Sequence, residues 1–145
     1  MKIIPRLEII RRLNDIYTLI PPVSCRQCHQ CCKPIMWFEP EEINIRFFLK
    51  EHNLSYITWS DKEFLSHDMR CPYLDEDGCR IYPVRPIVCR FQGVVSDLYC
   101  PFQSELLLTD VQVKQIMNQL NELTRAIGGI NDVYATRKTI NNSSL

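Results

Sequence analysis

The stretch Cys25-Arg26-Gln27-Cys28-His29-Gln30-Cys31-Cys32 puts four of the chain's eight cysteines into eight residues. Three chemistries compete for thiols spaced so closely: a metal or iron–sulfur site, a disulfide framework, or a redox-active dithiol. In a C-x-x-C step the backbone can wrap both thiolates onto one ion, and two such steps overlap here as C-x-x-C-x-x-C. Three thiolates at that spacing match the first ligands of a ferredoxin-type [4Fe–4S] run. The adjacency of Cys31 and Cys32 carries information of its own. Neighbouring side chains diverge, so the pair is expected to serve two sites or two roles rather than one tetrahedral ion.

The other cysteines, Cys71, Cys79, Cys89 and Cys100, are separated by seven to ten residues. A zinc ribbon or cross-brace finger would show a second close pair, so the common zinc modules do not fit. Cys71-Pro72 and Cys100-Pro101 carry the Cys-Pro dipeptide that closes a ferredoxin-type run. Eight thiols supply two four-thiolate sites, or one cluster and four further thiols. Arg26, Lys33, Arg70, Arg80 and Arg90 each adjoin a cysteine. Cations so placed lower thiol pKa values and offset thiolate charge. His29, His52 and His67 read as ordinary histidines before they read as ligands.

Composition narrows the field. A chain of 145 residues, 46% hydrophobic and 23% charged, suits one domain with its own core. Seventeen basic residues balance seventeen acidic ones, which disfavours nucleic acid and anionic membranes as partners. Arg6, Glu8, Arg11, Arg12 and Asp15 interrupt the apolar N-terminal stretch, so it does not read as a secretion signal. No segment approaches the ~20 apolar residues of a membrane span. The expected compartment is the cytoplasm, where thiols stay reduced, and this weighs against disulfides. A thioredoxin-like reading of Cys25 and Cys28 lacks the βαβ pattern and leaves six cysteines unexplained.

Around the cysteines the pattern is helical. Residues 5–20 predict an amphipathic helix, with Pro5 at its first position and Leu7, Ile10, Leu13, Tyr17 and Ile20 on one face. A second helix is expected over "FEPEEINIRFFLKEHN", with Glu41 and Glu42 at the positive end of its dipole. Residues 53–68 give no firm assignment. Met69–Leu74 and Cys79–Tyr82 predict a hairpin about Asp75-Glu76-Asp77-Gly78, a solvated turn that lacks the oxygen-ligand pattern of a calcium loop. Pro86 is placed to start a short helical turn, and Thr109 with Gln112 forms a capping box for a helix reaching Ile127. The fold class expected is mainly α, with a loop-rich, metal-organised centre containing a short β-hairpin. A single domain is expected over residues 1–130, comprising a metal-binding centre at 25–100 and helical arms at 5–20 and 110–127. Residues 131–145 read as a polar tail.

"CRQCHQCC", followed by "CPYLDEDGCRIYPVRPIVCRF" and then Cys100, resembles the C-x-x-C-x-x-C-C cysteine-cluster family, described as chelating zinc or iron. That family includes domains similar to those of flagellin lysine N-methylases. The match covers residues 25–100, with all eight cysteines, the "CPYL" and "CRIY" steps and "RP" before Cys89-Arg90. The resemblance implies that Cys25, Cys28, Cys31, Cys32, Cys71, Cys79, Cys89 and Cys100 form the metal-binding set. It also implies that Arg85, Pro86 and Arg90 belong to the motif; in an iron–sulfur enzyme, arginines such as Arg85 and Arg90 would bind an anionic group near the cofactor. Glycines often surround the first cysteines in that family, whereas this chain carries Arg26, Gln27, His29 and Gln30.

Two functions are consistent with these residues. The first is a metal-stabilised binding or accessory module, with metal ions as its immediate partners and a protein partner not identified by the sequence. The second is an iron–sulfur enzyme or redox protein, with protein-lysine methyl transfer as one version. All-sulfur ligation suits zinc and a [4Fe–4S] cluster alike. Four glycines in the whole chain leave no glycine-rich nucleotide loop.

Overall fold

The computed structural model describes residues 3–23, 25, 28–103 and 107–128, and the backbone of 134–135. Helix α1, Arg6–Tyr17, begins after Pro5 in extended conformation, which places the proline outside the helix rather than at its first position. Its buried face is Ile9, Leu13, Ile16 and Tyr17, continued by Ile20. Leu7, expected on that face, is 65% exposed. The helix ends at Tyr17, four residues ahead of Pro21, and a turn carries Ile20 back onto the core through its N–H to the Tyr17 carbonyl. The charges that break the apolar stretch lie on the outer face, where Arg11 pairs with Glu8 and Asp15.

Strand β1, Met36–Trp37, leads into α2, Glu39–Glu51. Phe38 precedes α2 and offers no side-chain acceptor, so Glu41 reaches back to its N–H and supplies half of a capping box. A third helix, α3, spans Asp61–Ser66 within the stretch that the sequence left unassigned. Its signal is Ser60 with Glu63: the Ser60 hydroxyl accepts the Glu63 N–H while the Glu63 carboxylate accepts the Ser60 N–H.

The hairpin is shorter than expected. β2, Leu74–Asp75, pairs antiparallel with β3, Gly78–Cys79, and Tyr82–Val84 form a 3₁₀ turn instead of continuing the strand. The first expected strand is cut short because Pro72 has no N–H to donate, Met69 is left-handed at φ 61°, and the Cys71 N–H goes to the Cys32 carbonyl. Asp75 accepts the Asp77 N–H and the Arg80 Nε–H, which closes the turn locally. Helix α4, Ile87–Phe91, starts after Pro86 as predicted, and α5, Asp110–Ala126, carries the predicted Thr109–Gln112 capping box. Gly128, at φ +77°, follows its C-cap.

Two apolar clusters result. The first joins Leu13, Ile16, Tyr17 and Ile20 to Ile87 and Phe91 of α4, Val94 and Val95, and Ile116, Leu120 and Leu123 of α5. The second gathers Trp37, Ile45, Leu49, Cys71, Tyr73, Leu74, Ile81 and Val84. The protein is mainly α with a short hairpin at its centre, as the sequence predicts. No helix among the described residues is long and apolar enough to cross a membrane. The polar tail lies outside the described residues apart from β4, Tyr134–Ala135, whose backbone pairs antiparallel with Met36–Trp37.

Candidate metal centre

Between the two clusters lies a cavity of about 640 Å³, and all eight cysteines line it. Four separate parts of the chain bring them there. Cys25, Cys28, Cys31 and Cys32 come from the loop after α1, Cys71 and Cys79 from the hairpin region, Cys89 from α4, and Cys100 from the turn that follows. The Cys32 carbonyl accepts the Cys71 N–H at 2.8 Å, so the close cluster is tied directly to the first distant cysteine.

Cys100 depends on a glycine. Gly93, at φ +82°, donates its N–H to the Leu98 carbonyl at 2.7 Å, and a Cβ there would stand 3.0 Å from Cys100 Cβ. A left-handed residue without a side chain is what lets the 98–103 segment fold back beside α4.

The thiols differ in setting. Cys25, Cys28 and Cys31 are exposed, Cys71 is buried, and the other four are half-buried. Burial pushes the Cys71 thiol up to about 11, and the charge of Cys79 adds to it. Burial likewise raises Cys79 and Cys89, and the charges of Cys71 and Cys79 raise Cys89 further. Cys31 is lowered to about 6 by the hydrogen bond from the Cys32 thiol, which is itself raised by that same bond. The adjacent pair thus meets one cavity and remains unlike: Cys31 exposed, Cys32 packed against the second cluster.

The cations sort themselves differently from the sequence pattern. Arg80 is engaged by Asp75 at 2.6 Å, and Arg70 is exposed and does not line the cavity. Arg26 lies outside the described residues. Lys33, Arg85 and Arg90 do line the cavity. Arg90 is already committed: its Nε donates to the Arg85 carbonyl at 2.7 Å, its Nη2 to the Pro83 carbonyl, and its guanidinium lies 3.9 Å over the Tyr17 ring. The guanidinium of Arg85 lies 3.7 Å over the Tyr82 ring, and its buried Nε has no hydrogen-bond partner among the described residues.

Of the histidines, His29 alone lines the cavity; its backbone is left-handed at φ 63°, and its Nδ1 stands 3.7 Å from Cys32 Sγ. His52 stacks on Phe48 and His67 on Trp59, and each bonds a helix carbonyl. Both are structural.

Sequence reasoning missed two buried carboxylates. Glu41 and Glu42, expected only to complement a helix dipole, are 0% and 4% exposed. Glu41 ties α2 to Tyr17 of α1 and to the Ile87 N–H of α4. Glu42 accepts from Trp37 Nε1, Tyr56 Oη and Arg46 Nε. The doublet after a proline carried only the dipole signal, because its partners lie up to 46 residues away.

The donor set suits a thiophilic metal: eight sulfurs surround one cavity, and a cationic side chain with an unpartnered N–H stands beside them. Among the described residues no three cysteine, histidine, aspartate or glutamate side chains are already grouped closely enough to hold one ion. The fit therefore rests on the shared cavity and the chemistry of its donors.

No curated protein and no solved structure matches the chain. One family model does, over residues 24–119, described as "CxxCxxCC: Putative zinc- or iron-chelating domain". It reaches through most of α5, beyond the cysteine-bearing segment in which the resemblance was read. Spanning roughly two thirds of the sequence, this match places the chain in the CxxCxxCC family of metal-chelating domains.

Proposed function

We propose that Cys25, Cys28, Cys31, Cys32, Cys71, Cys79, Cys89 and Cys100 hold zinc or an iron–sulfur cluster in their common cavity. The protein then acts as a metal-stabilised binding or accessory module. One observation carries this reading: eight thiols from four separate parts of the chain line a single cavity. When bound, the metal supplies a cross-link among loop segments with little regular structure, and structural zinc contributes about 10–16 kcal/mol in small domains. Lys33, Arg85 and Arg90 line the same cavity, and their positive charge offsets that of thiolates. A reducing cytoplasm fits eight free thiols.

The overlapping C-x-x-C-x-x-C spacing supports a [4Fe–4S] cluster and with it a second reading, an iron–sulfur enzyme or redox protein. Methyl transfer to protein lysines is one version, by likeness to the methylase domains.

The deciding experiment is purification without oxygen from iron-supplemented cells, followed by elemental analysis, acid-labile sulfide determination and a visible spectrum. Colourless protein with stoichiometric zinc supports the module. Brown protein with iron and sulfide supports the enzyme. Eight thiols oxidised in pairs and no metal would overturn both. Cys28→Ser is expected to lower the bound metal, and Gln30→Ala to leave it unchanged.

A further inference from the structure

The eight thiols do not meet the fold in the same way. Cys71 is a buried member of the second apolar cluster, and Cys32 and Cys79 pack against that cluster. Backbone bonds fix these three together. The Cys71 N–H donates to the Cys32 carbonyl at 2.8 Å, and the Leu74 N–H donates to the Cys71 carbonyl at 3.0 Å. Leu74 in turn pairs with Cys79 across the hairpin. The 3₁₀ turn then carries the chain from β3 to α4, whose first turn presents half-buried Cys89 to the same cavity. Charge groups the same four residues: Cys71 and Cys79 act on both Cys32 and Cys89, and Cys79 acts on Cys71.

Cys25, Cys28 and Cys31 differ from these in being exposed. Cys31 and Cys32 lie where the chain turns. The Cys32 N–H donates to the carbonyl of left-handed His29, and the Lys33 N–H donates to the Cys31 carbonyl. This turn leaves Cys31 open to solvent and sets Cys32 on the cluster. The charge of Cys25 reaches Cys79, and that of Cys31 reaches Cys32 and Cys89, so the two groups are neighbours in one cavity. Cys100 lines that cavity from the fold-back beside Gly93.

We propose that the cavity holds two centres of unlike exposure. Cys32, Cys71, Cys79 and Cys89 form a closed four-thiolate site, and Cys25, Cys28, Cys31 and Cys100 form a solvent-facing one. The division rests on the reading that these cysteines bind metal. An apolar shell controls the access of water to a site, so the inner ion is structural and the outer one exchangeable. The adjacent pair supplies one ligand to each centre, because neighbouring side chains diverge. Ligation draws each set inward, since no three such side chains are grouped closely enough for one ion among the described residues.

The test is alkylation of the reduced, zinc-loaded full chain with iodoacetamide, read by peptide mass spectrometry while a chromophoric chelator removes zinc in steps. About two ions per chain are expected, one leaving at least about tenfold faster than the other. With about one ion left, Cys25, Cys28, Cys31 and Cys100 are expected to react, and Cys32, Cys71, Cys79 and Cys89 to stay protected. In zinc-free protein Cys32, Cys79 and Cys89 are expected to react as well. Cys31→Ser is expected to lose the fast ion and keep the slow one. Uptake of a single ion, protection that mixes the two sets, or loss of both ions from Cys31→Ser overturns the division while metal binding stands. Protection of the inner four without zinc overturns it too, since burial would then account for the pattern. A chain that takes up no zinc removes the metal reading and the division together.

Discussion

Tyr17 of α1 donates its hydroxyl hydrogen to Glu41 Oε2 of α2 at 2.5 Å, and the same oxygen accepts the Ile87 N–H of α4 at 2.5 Å. Three helices therefore converge on one buried carboxylate. Two of them carry cavity walls: Tyr17 lines the cavity, and α4 bears Cys89 and Arg90. Burial pushes Glu41 up to about 7, against its hydrogen bonds from Tyr17, Ile87 and Phe38 and the nearby charge of Arg90. In an unfolded chain the group titrates near 4.5. Between those two values the folded protein binds more protons than the unfolded one, so stability falls as pH rises through that window and levels off above it. The size of the effect is about 3 kcal/mol. Urea unfolding at pH 5 and pH 8 should show wild type losing this much relative to Glu41→Gln, which has no proton to release. An identical pH dependence in the two proteins would contradict the account.

Gly93→Ala should destabilise the protein by about 1–3 kcal/mol, through a left-handed backbone and a contact on Cys100 Cβ. The displaced turn should also weaken metal retention in a chelator competition. Gly128→Ala has the same backbone penalty but nothing within 4 Å of the new methyl. It should lower stability without changing metal retention, and this difference separates strain from the loss of a Cys100 contact.

How much of this was legible from sequence depended on how local each cause was. Capping boxes at Thr109–Gln112 and Ser60–Glu63 act within four residues; the first was read and the second lay in a stretch left unassigned. Pro86 gives the right punctuation, but α1 stops at Tyr17 before Pro21 can end it, and Leu7 lies on the outer face because a helix with apolar residues at Leu7, Ile9 and Ile10 offers two overlapping stripes. The cysteine set was legible because its spacing is local chemistry. The convergence on one cavity was not, because it depends on the Cys32–Cys71 backbone bond and the fold-back at Gly93. The pairing of Arg80 with Asp75 and of Arg90 with the Arg85 and Pro83 carbonyls is not legible either, since adjacency to a cysteine says nothing about which partner a long side chain finds.

Glu42→Ala should cost about 3 kcal/mol or more, since it strips a buried acceptor from Trp37 Nε1 at 2.6 Å, Tyr56 Oη and Arg46 Nε together. Trp37 is 1% exposed, and its indole N–H would be left in an apolar cluster. Its fluorescence should change in the variant even in buffer without denaturant. A Trp37→Phe, Glu42→Ala double variant should recover part of the loss, because the stranded donor is then gone. No recovery would mean that Tyr56 and Arg46 carry the cost.

Removal of metal should affect the two clusters unequally. The first cluster is built on α1, α4 and α5 and joins long helices through Leu13, Leu120 and Leu123, none of which lines the cysteine cavity. The second includes Cys71 itself, packs against Cys32 and Cys79, and closes over short strands of two residues each. Chelation under reducing conditions should therefore leave most of the far-ultraviolet helical signal while amides of residues 71–81 lose protection from hydrogen exchange. The midpoint of thermal unfolding should fall by more than about 10 °C, given the size of structural-metal contributions and the few degrees that each kcal/mol represents in a chain of this length. Restoring zinc or rebuilding the cluster should return the protection to the hairpin first. Uniform loss of protection in α5 and the hairpin together would show instead that the metal supports the whole fold, with no division between the clusters.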